Sequence, residues 1–241
     1  MTELSRLLLV RHGQSIGNVA VDRARDTGAH ELDLQHRDAD TPLSEMGRAQ
    51  GSAVGTWIAD LPAERQPTIW LSSPYRRASD TATLAAEAAA TQATVIFDER
   101  LRERDLGLLD GYTGRGIRHL YPEEARRRDS IGKFYYRPPG GESWTDVLLR
   151  VRHLLSDLRQ LHPGERVCLF SHQAVIMCFR VALENLSEGD VLRIDRENPL
   201  PNCSVTSYAE RADSGLVLEQ YADTSAVELL ELAPTQEGSR A

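Results

Sequence analysis

Three short stretches hold the residues best suited to chemistry: Arg11-His12, Ser73 to Arg77, and His172. Each follows a short apolar run: Leu7-Leu8-Leu9-Val10, Ile69-Trp70-Leu71 and Val167 to Phe170. Two histidines, two arginines and an acid nearby suit phosphate chemistry. A phosphoryl group needs its equatorial oxygens neutralised, and arginine does this with a planar fork of donors. A neutral imidazole attacks phosphorus when it is held in one tautomer. Preorganised donors in a dry pocket stabilise the charge that develops. A carboxylic acid must then protonate the leaving alkoxide.

The elements that must position these residues follow from apolar patterning. Leu7 to Val10 reads as a buried parallel strand that stops at a glycine turn. Ser44 to Asp60 carries Met46, Ala49, Ala53, Val54, Trp57 and Ile58 at helical spacing, with Ser44 as N-cap. Ile69 to Leu71 is a second strand, closed by Ser72-Ser73-Pro74, and Arg77 to Ala90 is an Ala-rich helix. Val95 to Phe97 is a third strand. Thr145 to Leu161 places Val147, Leu148, Val151, Leu154, Leu155 and Leu158 on one stripe, an amphipathic helix. Val167 to Phe170 is a fourth strand, ending at Ser171-His172, and Ala174 to Leu183 follows as a helix. Ser204 to Ala209 and Leu216 to Tyr221 read as a terminal hairpin or pair of strands, and 234–241 as a frayed tail.

Strands alternating with helices predict an α/β three-layer sandwich, with a largely parallel central sheet and helices on both faces. In such sheets the site lies outside the carboxyl ends of the strands. The three polar stretches all sit at such ends, so the fold would gather them. A site built from residues 11 to 172 cannot be divided, which predicts one domain over 1–233.

Composition narrows the partners. The chain has 241 residues, 41% hydrophobic and 27% charged, ordinary for a globular protein. Twenty-eight basic residues against 36 acidic give a net charge of −8, the wrong balance for a nucleic-acid binder or for attraction to anionic membranes. Cys168, Cys178 and Cys203 have neither zinc-site nor disulfide-framework spacing. The N-terminal apolar run is too short for a signal-peptide core, so a reducing cytoplasm is expected. Lys133 is the only lysine. No cysteine has arginine six residues on, and D-x-D-x-T, G-x-x-x-x-G-K-[ST] and metalloprotease histidine pairs are all missing. Gly13-Gln14-Ser15-Ile16-Gly17 matches a nucleophile elbow, but residues 1–12 leave no room for the oxyanion strand and helix that must precede one. His30, His36, His119, His153 and His162 receive no role, and Arg126-Arg127-Arg128 reads as a solvated helix face.

Five segments carry a family resemblance. Leu9-Val10-Arg11-His12-Gly13-Gln14-Ser15 with Asn18 resembles the R-H-G signature of the histidine phosphatase superfamily, which includes the cofactor-dependent phosphoglycerate mutases. Thr41-Pro42-Leu43-Ser44 with Gly47 and Gln50 resembles its P-L-[ST]-x-x-G-x-x-Q segment. Ser72-Ser73-Pro74-Tyr75-Arg76-Arg77-Ala78 with Thr81-Ala82 resembles S-S-P-x-x-R-A-x-x-T-A. Leu101-Arg102-Glu103 with Leu106-Gly107 and Asp110-Gly111, and then Ser171-His172, complete the order over about residues 7 to 208.

The resemblance implies a phosphoglycerate mutase-like fold and roles for particular residues. His12 would be the nucleophile, forming a phosphohistidine. Arg11, Arg77 and His172 would line the phosphate pocket with help from Asn18, and Glu103 would be the general acid and then the base. Arg76 reads as structural, and Ser15 and Ser44 as helix caps. Gln173 stands where the acid phosphatase and phytase branch has aspartate, which points to Glu103 as the acid. Phe134 to Ser143 and Ser171 to Val175 look most like the bisphosphatase half of the bifunctional fructose-2,6-bisphosphate enzyme and related small phosphatases. Arg137 matches a substrate-binding arginine there, and Tyr136, Gln14 and Gln173 are further candidates to bind substrate. Three positions depart from the pattern. Gly140 replaces a lysine expected before Gly-Glu-Ser, Gln14 replaces the commoner glutamate, and Gly17 stands where mutases usually show tryptophan. The implied activity is metal-independent and cofactor-independent hydrolysis of a small phosphorylated metabolite. No nucleic-acid or membrane partner is expected, and homodimers are common in the superfamily. Mutase-type phosphoryl transfer, or a non-catalytic phosphate-binding module on the same fold, stays open as an alternative.

Overall fold

The structure is a computed structural model that describes residues 3–228, 232, 234 and 235. In chain order the elements are β1 (Arg6–Arg11), α1 (Ile16–Thr27), α2 (Glu45–Ala59), β2 (Ile69–Ser72), α3 (Arg76–Ala88), β3 (Val95–Phe97), α4 (Gly114–Leu120), α5 (Pro122–Ile131), α6 (Trp144–Leu161), β4 (Arg166–Ser171), α7 (Gln173–Glu184), α8 (Glu188–Glu197), β5 (Val205–Arg211), β6 (Gly215–Asp223) and α9 (Ser225–Glu228). The sheet order is β3-β2-β4-β1-β5-β6. The first four strands are mutually parallel, and β5 and β6 extend the sheet as an antiparallel hairpin.

The continuous apolar runs of β1 and β4 follow from burial on both faces. Side chains alternate across a strand, so each run must satisfy two cores. Leu7, Leu9, Val167 and Leu169 pack with the stripe of α6 and with α7 on one face. Leu8, Val10, Cys168 and Phe170 pack with α2, α3 and Trp70 on the other. This is the expected three-layer sandwich. The three cysteines are buried as free thiols.

Five of the helices named above are not placed by the apolar patterning, among them the four-residue α9. In α1, α5 and α8 few apolar residues mark a buried face, and α4 spans only seven residues. Their ends carry the signal instead. Ser15 and Asn18 form a capping box opening α1, Pro122 sits at the start of α5 ahead of Glu123 and Glu124, and Ser187 caps α8. Arg126 and Arg127 lie on the exposed face of α5, as a solvated helix face would, whereas Arg128 is half-buried. Thr235, read from sequence as part of a frayed tail, is instead hydrogen-bonded to Asn202 and Gln50. The remainder of that tail, 236–241, lies outside the described residues. Among the described residues no helix is long and apolar enough to cross a membrane.

Candidate active site

Register brings the polar stretches together. β1 pairs with β4 so that Arg11 is opposite Ser171, and β2 pairs with β4 so that Ser72 is opposite Phe170. His12, Ser73 and His172 therefore all emerge at one edge. The His12 amide donates to the Ser171 carbonyl at 3.0 Å and the Ser73 amide to the Phe170 carbonyl at 2.9 Å, fixing those exits. The loop after His12 is pressed against α2. A Cβ on Gly47 would sit 1.9 Å from the Gln14 carbonyl oxygen, so only glycine fits there.

His12 is buried, and its Nδ1 lies 2.8 Å from the Gly13 carbonyl oxygen. A carbonyl can only accept, so Nδ1 carries the proton and the lone pair is on Nε2. Arg77 Nε lies 3.3 Å from that Nε2. The His172 ring is 5.1 Å from the His12 ring, centroid to centroid. His172 Nε2 is 2.8 Å from Ser73 Oγ, which itself accepts the Tyr75 amide at 3.2 Å. Ser73 Oγ keeps a second lone pair beside its own proton, so either group can donate in this contact. His172 Nδ1 is buried and has no partner among the described residues. Burial, reinforced by Arg77 and His12, holds His172 well below the usual histidine range, so its ring is neutral at neutral pH. Arg11 is buried at the end of β1 and donates to the Leu200 carbonyl.

Glu103 faces the same pocket as His12, Asn18 and Arg77. Burial pushes its carboxyl up, and the charge of Asp38 adds to this. The Arg104 amide, which donates to Glu103 Oε1 at 2.8 Å, and Arg77 oppose the shift. The loop carrying Glu103 is braced by Glu142, whose carboxylate pairs with Arg102 at 2.6 Å and Arg150 at 3.1 Å. Arg150 Nη2 also reaches the Glu103 carbonyl at 3.3 Å.

Asn18 and Gln173 line the pocket. Asn18 Oδ1 is held by the Ser15 amide at 2.8 Å, and Gln173 Nε2 donates to Asp195 Oδ1 at 2.7 Å. Gln14, Tyr136 and Arg137 are not among the residues lining this pocket. Arg137 is 63% exposed and forks onto Asp146, at the first turn of α6. Tyr136 is buried in a small cluster with Leu109 and Ile117, and its hydroxyl donates to Glu124 at 2.7 Å. Gln14 accepts from Ser44 Oγ at 2.7 Å and faces α2. The family resemblance suggests all three as substrate contacts, and in this structure each is held by a local partner. Ser15 Oγ is committed to the α1 cap through Asn18, which removes the nucleophile-elbow reading.

The patterning gave no role to several residues that line the pocket: Asp38, Tyr75, Arg104, Lys133 and Asp195. Lys133 Nζ pairs with Asp195 Oδ2 at 3.1 Å. Tyr75 sets the edge of its ring against His172. Tyr75 lies within the Ser73 to Arg77 stretch and Lys133 is the lone lysine beside the Phe134 to Ser143 segment, whereas Asp38, Arg104 and Asp195 carry no signal in the sequence. Among the described residues no group of three or more His, Cys, Asp or Glu could hold a metal ion.

Comparison with known proteins shows the family. The sequence pattern of the histidine phosphatase superfamily (branch 1) matches residues 7–224. The chain is 34% identical over 203 residues to a 2,3-bisphosphoglycerate-dependent phosphoglycerate mutase 2 of Gloeobacter violaceus, covering 82% of this chain and 84% of that protein. It is 30% identical over 230 residues to a probable phosphoglycerate mutase GpmB of Yersinia pestis, covering 93% and 95%. Among solved structures, a mycobacterial glucosyl-3-phosphoglycerate phosphatase complexed with VO3 superposes with a TM-score of 0.70 at 30% identity, covering 91% of this chain and all of that one. The chain belongs to branch 1 of the histidine phosphatase superfamily.

Proposed function

We propose that this protein hydrolyses a small phosphomonoester through a phosphohistidine on His12. One observation carries the reading. The His12 proton is fixed on Nδ1 by Gly13, so the Nε2 lone pair faces Arg77 in a pocket that also holds the half-buried carboxyl of Glu103.

In the first half-reaction Nε2 attacks phosphorus and the P–O bond to the alcohol breaks. The Glu103 carboxyl gives its proton to the leaving oxygen, and its raised pKa keeps that proton available nearer neutral pH. Arg77 and Arg11 offset the charge on the equatorial oxygens, with the neutral His172 ring beside His12. In the second half-reaction water attacks the phosphohistidine and Glu103, now a carboxylate, takes its proton. Inorganic phosphate leaves and Nε2 regains its lone pair. The named relatives support two fates for the phosphohistidine: transfer to water, as in a phosphatase, or to a second hydroxyl, as in a mutase.

The test is steady-state hydrolysis of p-nitrophenyl phosphate with chelator present, beside sugar phosphates, phosphoglycerates and nucleotides. Wild type is expected to release phosphate and His12→Ala to be inactive with its fold intact. An active His12→Ala protein refutes the mechanism. A wild type that only interconverts phosphoglycerates establishes the mutase reading instead.

A further inference from the structure

The carboxylate of Asp38 stands in the phosphate pocket, where its charge opposes the dianion the pocket must receive. Its contacts explain its presence. Arg77 Nη1 donates to the Asp38 carbonyl at 2.6 Å, and Arg77 Nη2 donates to Asp38 Oδ2 at 3.0 Å. Those two nitrogens form the terminal edge of the guanidinium. The other edge, Nε with the second Nη2 hydrogen, faces His12, with Nε 3.3 Å from His12 Nε2. A guanidinium is planar and its donors are fixed in direction, so holding one edge aims the other. Arg77 is only 5% exposed, so protein partners rather than solvent set its orientation. Both acceptors come from one residue, in the single helical turn Asp38–Asp40.

We propose that Asp38 is a positioning residue: it turns the Nε/Nη2 edge of Arg77 onto the phosphoryl group at His12, and its charge keeps bound phosphate from being held too tightly. This rests on the hydrolytic reading. Only interactions stronger in the transition state raise the chemical rate. An aimed fork improves that state, whereas the nearby negative charge weakens substrate and product phosphate alike. Asp38 should therefore trade phosphate affinity for turnover, which suits an enzyme that must release inorganic phosphate in each cycle.

The experiment is single-turnover kinetics of Asp38→Ala and Asp38→Glu on p-nitrophenyl phosphate, with inorganic phosphate binding measured by calorimetry. The phosphorylation rate is read as nitrophenolate released in the first turnover, a leaving group that needs no proton, so changes at Glu103 do not enter it. Asp38→Ala removes the side-chain acceptor of Arg77 Nη2 together with the charge, and is expected to lower the phosphorylation rate about 30-fold or more while binding phosphate about tenfold tighter, a factor equal to about 1.4 kcal/mol. Asp38→Glu keeps the charge but not the reach, so phosphate affinity should stay near wild type while the phosphorylation rate falls. A purely structural role would lower the melting temperature and weaken both properties together. An unchanged phosphorylation rate in Asp38→Ala, or weaker phosphate binding, overturns the proposal. Because calorimetry needs no turnover, a wild type that binds phosphate yet hydrolyses nothing would defeat the hydrolytic reading separately.

Discussion

Glu103→Gln isolates a single proton. The amide is nearly isosteric with the carboxyl, and its oxygen can still accept the Arg104 amide now bonded to Oε1 at 2.8 Å. The Glu142 brace does not involve the Glu103 side chain, so the loop should stay in place. What is lost is the proton delivered to the leaving oxygen. General acid catalysis is worth about 10²–10⁴-fold, or about 3–5 kcal/mol at 1.36 kcal/mol per decade. That loss should appear in kcat/KM for an alkyl phosphate, whose alkoxide cannot leave unprotonated. For p-nitrophenyl phosphate kcat/KM reports only phosphorylation, and the nitrophenolate leaves as an anion, so the loss should stay within about tenfold. Stability should move the other way. The folded state raises the Glu103 pKa, so its ionised form opposes folding, and that cost grows as pH rises through the folded value. Glu103→Gln should therefore raise the melting temperature at pH 8 and leave it nearly unchanged at pH 4. Equal losses of kcat/KM on the two substrates would remove Glu103 from the acid role. A lowered melting temperature at pH 8 would contradict the burial argument.

Other perturbations test the scaffold around that chemistry. Arg77→Lys keeps a charge but not the two-edged fork, and should lower kcat about 10²–10³-fold, as loss of one preorganised donor does elsewhere. Glu142→Gln leaves Arg150, whose side chain is 10% exposed, without its carboxylate. That should cost about 3 kcal/mol, roughly 6–12 °C in a thermal melt. Gly47→Ala puts a Cβ 1.9 Å from the Gln14 carbonyl, so the His12 loop must shift by about 1 Å. A displacement of that size can cost about 10²-fold in kcat, and unchanged activity would show that the loop does not set the nucleophile.

The sheet was legible because burial on both faces leaves continuous runs such as Leu7 to Val10 and Val167 to Phe170. The convergence of Arg11-His12, Ser73 to Arg77 and His172 followed from strand direction alone, since parallel strands put their carboxyl ends on one side. Helix α1 was not legible, because its core contact rests on Gly17, Asn18, Val21 and Ala24, which form no apolar stripe. The rim of the site was legible only in part. Arg137 carries the expected residue type, but Asp146 is within reach and captures it. Asp38 lies among other polar residues in a loop, and only the fold brings it to Arg77. Loops supply such residues singly, without periodicity, so patterning cannot single them out.

The central claim is a covalent bond between phosphorus and His12 Nε2. Its most direct measurement is rapid mixing with substrate, quenching in alkali, where phosphohistidine survives, and mass spectrometry of the peptide containing His12. The account predicts a phosphoryl adduct on His12 that is lost on acid treatment, absent in His12→Ala, and, with p-nitrophenyl phosphate as substrate, more abundant in Glu103→Gln, where phosphorylation needs no acid and water attack lacks its base. Turnover without any such adduct, or an adduct on another residue, would contradict it.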